Sequence, residues 1–107
     1  MTELTHAWLQ DFIRVNRFAV IHFWAVWNGY DAKVKDILEQ QIPPDLRAHI
    51  AFAAFDTTPL EHHELCRQHK MVSLPSLELY RDAESIESVT GMRQPNEIIE
   101  HLRKLVY

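Results

Sequence analysis

Cysteine occurs once, as Cys66. A single thiol cannot run intramolecular dithiol–disulfide exchange, which needs one thiolate to attack and a second thiol to resolve the mixed disulfide. Glycine occurs twice, at Gly29 and Gly91, too sparsely to write a glycine-rich phosphate or dinucleotide loop. Basic residues are outnumbered 11 to 15 by acidic ones, and the formal charge of −4 argues against nucleic-acid and anionic-membrane partners. No apolar run approaches the ~20 residues that a membrane-spanning helix needs. Met1 to Asp11 mixes acidic, polar and apolar residues, unlike a secretory signal. The expected location is therefore cytoplasmic, in keeping with one unpaired cysteine in a reducing compartment.

What is present is the balance of an ordinary globular chain, 47% hydrophobic and 24% charged, with enough residues to bury a core without metal or disulfide staples. Its 107 residues fit one domain, 1–107. There is no repeat, low-complexity tract or linker. Phe18 to Ala25 and Ile50 to Phe55 are short, nearly continuous apolar runs, the pattern of strands buried on both faces. Leu77 to Tyr80 and Ser85 to Thr90 alternate like strands across the polar turn Arg81-Asp82-Ala83-Glu84.

Helical stripes separate them. Thr5 to Val15 carries Trp8, Leu9, Phe12 and Ile13, with Thr5 as cap. Asn28 to Gln41 carries Val34, Ile37 and Leu38, extended by Ile42, and Pro43-Pro44 ends it. A third helix is expected from Thr58-Pro59 to about His69, with Thr58 as cap, Pro59 at the first helical position and Glu61 completing a capping box. Pro95 starts a last helix faced by Ile98, Ile99, Leu102, Leu105 and Val106. With a short strand at Thr2 to Leu4 the order is βαβαβαββα, an α/β chain with a mixed central sheet flanked by helices.

Four segments in this order carry a family resemblance. Phe23-Trp24-Ala25-Val26-Trp27-Asn28-Gly29-Tyr30-Asp31 resembles the thioredoxin active-site stretch, in which the second tryptophan precedes cysteine-glycine-proline-cysteine. Phe55-Asp56-Thr57-Thr58-Pro59 is similar to the end of the family's third strand, Leu74-Pro75-Ser76-Leu77 to its cis-proline loop, and Thr90-Gly91 to the glycine before its final helix. The resemblance implies a thioredoxin-like fold. It also places Asn28 and Asp31 where the family has its two cysteines, so that no catalytic residue is assigned and oxidoreductase activity is expected to be absent. Asn28 is instead a strong capping residue, and Asp31 suits the helix dipole at the third position.

The resemblance further puts His22 where thioredoxins bury an aspartate, facing Asp31. The two are expected to form a buried polar pair, either structural or acting as a proton relay or pH switch. It also brings Trp27, Tyr30, Ser73, Leu74, Pro75 and Met92 together where thioredoxins grip an extended peptide. Exposed aromatics there make a protein-binding groove.

His62, Cys66 and His69 fall at i, i+4 and i+7 of the third helix. Their donor types suit zinc or copper, but no fourth ligand is evident, so neither metal nor cofactor is assigned. The leading functional reading is a redox-inactive protein-binding module (adaptor, assembly factor or chaperone-like) holding a protein or extended peptide in the former substrate groove. The alternative is a monothiol or metal-binding redox sensor or enzyme that uses Cys66. A homodimer with the groove buried against itself is a third reading.

Overall fold

A computed structural model describes residues 1–69, 74–91 and 94–107. Among them, five strands form one sheet in the order β1-β3-β2-β4-β5. The strands are β1 (Thr2–Leu4), β2 (Phe18–Trp24), β3 (Ile50–Asp56), β4 (Ser76–Arg81) and β5 (Glu84–Thr90). β3 runs parallel to β1 and β2, whereas β4 is antiparallel to both β2 and β5. This is the thioredoxin-like mixed sheet, with the two apolar runs in its interior. The β4–β5 hairpin turns through Asp82 and Ala83, both at positive φ.

The helices are α1 (Leu9–Val15), α2 (Gly29–Gln40), α3 (Pro44–His49), α4 (His63–Gln68) and α5 (Pro95–Val106). Residue parity along β2 divides the interior. Phe18 and Val20 pack with Val34, Ile37 and Leu38 of α2, Leu46 of α3 and Ile98, Leu102 and Leu105 of α5. Ala19, Ile21 and Phe23 pack on the other face with Leu9 and Ile13 of α1 and Phe55 of β3. Full burial of a side chain such as Val20 in the first layer or Phe23 in the second stabilises by about 2 kcal/mol, so both layers anchor β2.

Three helix expectations need correction. α3 was unexpected, because Pro43-Pro44 reads as a stop. Pro44 instead occupies the first turn of a new helix, where its missing N–H costs nothing, and Leu46 beneath it is fully buried. Thr5 does not cap α1, whose first residue follows Trp8 with no side-chain cap bond, and Trp8 itself is 63% exposed. Thr58 and Pro59 do not open a continuous third helix. Pro59 has an extended ψ of 139°, a 3₁₀ turn follows at Leu60–His62, and only then does α4 begin.

The alternation of Leu77 to Tyr80 does not mean a solvated face: Glu78 is only 3% exposed and Tyr80 4%. β4 is covered on both sides.

Candidate functional site

The C-terminal end of β2 leads directly into α2, and this junction assembles the site. Asn28 caps α2: its Oδ1 accepts the Tyr30 N–H at 2.9 Å. Its Nδ2 donates to the Leu74 carbonyl at 3.0 Å, tying the helix start to the segment before Pro75. The Leu74–Pro75 peptide bond is cis, and the Pro75 carbonyl accepts the Gly91 N–H at 3.1 Å. Gly91 sits at φ +69°, a left-handed conformation that glycine adopts without a steric penalty.

These bonds bring together the start of α2, the turn into β4 and the end of β5. Trp27 is 73% exposed there and Val26 70%, while Tyr30 is half exposed, Leu74 half-buried and Pro75 buried. Ser73 and Met92, expected in the same groove, lie outside the described residues.

Behind this surface, Asp31 is 4% exposed and divides its carboxylate between two neighbours. Oδ2 accepts the Ala25 N–H at 2.8 Å, and Oδ1 lies 3.4 Å from His22 Nε2. His22 is 1% exposed, and neither its ring nitrogens nor Asp31 Oδ1 has a hydrogen-bond partner among the described residues. They line a cavity of about 210 Å³ that reaches the surface between Glu3, Val26 and Lys35. Burial raises the Glu3 carboxyl above its ordinary range, while the facing Trp24 indole, Lys35 and His22 pull it down. Trp24 is half-buried and lines the cavity rather than the core.

The His62, Cys66 and His69 side chains are committed to different surroundings. His62 is buried with its ring stacked on Phe55 at 4.3 Å, and its Nδ1 lies 2.6 Å from the Asp56 carbonyl. Cys66 is half-buried against the second core layer, and burial pushes its thiol up, away from the thiolate form that reacts. Among the described residues, no three His, Cys, Asp or Glu side chains are grouped to hold a metal ion.

His69 belongs to a cluster that sequence reasoning missed. Its Nδ1 lies 2.7 Å from Glu78 Oε2 and 3.1 Å from the Tyr80 hydroxyl, and that hydroxyl donates to the same glutamate oxygen. Burial and the neighbouring Glu78 both drive the Tyr80 hydroxyl far above its ordinary range, so it remains a proton donor. The one available signal was an acidic residue set among Leu77, Leu79 and Tyr80.

A family model described as thioredoxin matches residues 1–104. The protein disulfide-isomerase of Humicola insolens is 25% identical over 104 residues, a match covering 97% of this chain and 20% of that protein. The chain thus spans about a fifth of that relative's length. The thioredoxin of Mycobacterium bovis is 26% identical over 98 residues, covering 90% of this chain and 80% of the relative. Among solved structures, the oxidised thioredoxin of Plasmodium falciparum superposes with a TM-score of 0.84 at 16% identity, covering 100% of this chain and 99% of that one. Oxidised mitochondrial thioredoxin 3 of Saccharomyces cerevisiae gives 0.83 at 21% identity, covering 97% and 94%. At these identities the superpositions speak for the fold alone. The family match over residues 1–104, on a mixed sheet whose β2–α2 junction is closed by Asn28 and Asp31, makes this chain a member of the thioredoxin family with a single cysteine away from that junction.

Proposed function

We propose that this chain is a redox-inactive protein-binding module, an adaptor, assembly factor or chaperone-like subunit, that holds a protein or extended peptide around Trp27, Tyr30, Leu74 and Pro75. The observation that carries the reading is the Asn28–Leu74 bond of 3.0 Å. An amide at the helix start has replaced reactive chemistry with a tether, and the tether fixes the two sides of an exposed aromatic surface. Exposed Trp27 and Val26 beside Tyr30 supply the large, rigid contact area on which protein interfaces concentrate their energy.

The charge of −4 speaks against nucleic-acid and anionic-membrane partners, and no helix among the described residues is long and apolar enough to cross a membrane. The single unpaired cysteine suits a reducing, cytoplasmic compartment. The raised Cys66 thiol and the separate engagement of His62 and His69 weigh against a sensor built on Cys66.

Affinity capture from native extract tests the reading. A partner retained by the wild type and by Cys66→Ser, but lost by the Trp27→Ala, Tyr30→Ala double variant, supports it. Equal retention by the double variant, loss on Cys66→Ser, or no captured partner overturns it. Light scattering over a concentration series separates self-association through the same surface from capture of a different protein.

A further inference from the structure

We infer that the His22–Asp31 pair is a proton-operated clamp on the aromatic surface at the start of α2. As regulation of that surface the inference rests on the proposed binding role, but the clamp itself is a property of the chain alone. Asp31 is bound at both ends of the segment that carries Trp27. Its Oδ2 holds the Ala25 N–H at 2.8 Å, on the β2 side, and its own backbone N–H donates to the Asn28 carbonyl at 3.3 Å, inside the helix start. Its remaining oxygen, Oδ1, is buried and faces His22 Nε2 at 3.4 Å without a hydrogen bond. That separation exceeds the ~2.8 Å of a charge-assisted hydrogen bond, so no such bond joins the pair as it stands.

A proton supplies the difference. Proton uptake on the neutral ring makes it an imidazolium with two N–H donors, and the pair's charge goes from −1 to 0. Where the neutral ring carries its proton on Nδ1, Nε2 is an acceptor facing Asp31 Oδ1, and uptake puts an N–H there, so that the buried carboxylate gains a charge-assisted partner and the strand–helix junction closes on Ala25. Proton loss returns a buried anion to a place where one of its oxygens is unpaired, and the junction loosens. The 210 Å³ cavity reaching out past Glu3 and Lys35 gives solvent protons a route to the ring.

Charged groups face His22 from three elements. Asp31 and Lys35 face it from α2, Glu3 from β1, and Asp56 lies beyond Glu3 at the end of β3. That makes three carboxylates against one ammonium. In register on either side of His22, Ala54 of β3 and Leu77 of β4 offer no side-chain hydrogen bond that would fix the ring in one state. Glu3 also holds its own proton more tightly than an ordinary glutamate, so its titration must be separated from that of His22.

Ring-nitrogen NMR of the full chain between about pH 5 and 8, followed together with the amides of Ala25 and Trp27, tests the clamp. The expected result is one shared midpoint for His22, Ala25 and Trp27, retained in Glu3→Gln. The amide step is expected to vanish in His22→Gln, and His22 is expected to titrate without moving the amides in Asp31→Asn. The clamp is overturned if His22 shows no step, if its step leaves Ala25 and Trp27 unmoved, or if the amides still titrate in His22→Gln. The wild-type midpoints decide the matter even where Asp31→Asn fails to fold. Since no partner is present, failure of the clamp leaves the binding surface standing, and failure of partner capture leaves the clamp standing.

Discussion

Among the described residues, two buried histidine–carboxylate pairs lie on opposite faces of one sheet, and they are built differently. His69 and Glu78, on the α1 and α4 face, are 2.7 Å apart, and the Tyr80 hydroxyl closes them into a three-way cluster. His22 and Asp31, beneath the start of α2, stand 3.4 Å apart with ring nitrogens and a carboxylate oxygen unpaired, beside a cavity. A buried polar network is stabilising only when its members are satisfied, and a half-satisfied one leaves the desolvation of its unpaired atoms uncompensated. The first pair is therefore a fixed joint between α4 and the sheet. The second leaves unpaired polar atoms beneath the start of the exposed aromatic surface.

Breaking the satisfied cluster should cost the most. Glu78→Ala leaves a mostly buried imidazole and a buried tyrosine hydroxyl without their acceptor, and urea unfolding should show a loss of about 3 kcal/mol. Glu78→Gln, which keeps one acceptor, should lose less. Asp31→Ala strands the Ala25 N–H but also removes a poorly paired buried anion, so its loss should be smaller, about 1–2 kcal/mol. Equal losses from the two alanine variants would erase the contrast between the pairs.

Asn28→Ala, which removes both the α2 cap and the tether to Leu74, should cost about 1 kcal/mol by the same assay. The smallest effect belongs to Glu3. Because its carboxyl is raised in the folded chain, the native state holds that proton more tightly than the unfolded one. The associated stability is full below the ordinary value of 4.5 and is lost as pH rises through the raised value. Glu3→Gln should accordingly stabilise the protein near neutral pH by no more than a few tenths of a kcal/mol, since solvent still reaches the group and screens it, and should change nothing in acid.

The contrast between the pairs also marks what a sequence makes legible. β2, β3 and α5 could be read because unbroken apolar runs and a helical stripe report burial directly. The Asn28 cap was legible for a local reason, since its acceptor reaches an N–H only two residues away. Pro44 misled because the same proline that cannot continue α2 is well suited to begin α3. Thr58 misled because its hydroxyl is used across the fold, accepting the Val26 N–H at 3.5 Å, instead of capping its own helix. The His69–Glu78–Tyr80 cluster stayed hidden because it joins a helix end to a strand with no periodic spacing, and burial of both faces of β4 cannot be read from alternation. The thioredoxin resemblance put His22 opposite Asp31. The unpaired atoms and the cavity needed coordinates.

Photo-crosslinking tests the central claim, that the former redox end of the sheet is now a partner-binding surface, most directly. A photoreactive residue at position 27 is compared in native extract with one at position 86, where Ile86 of β5 is 41% exposed. The account predicts a discrete adduct from position 27 that Tyr30→Ala removes and that position 86 does not form. The same adducts from both positions, or none from position 27, would contradict it.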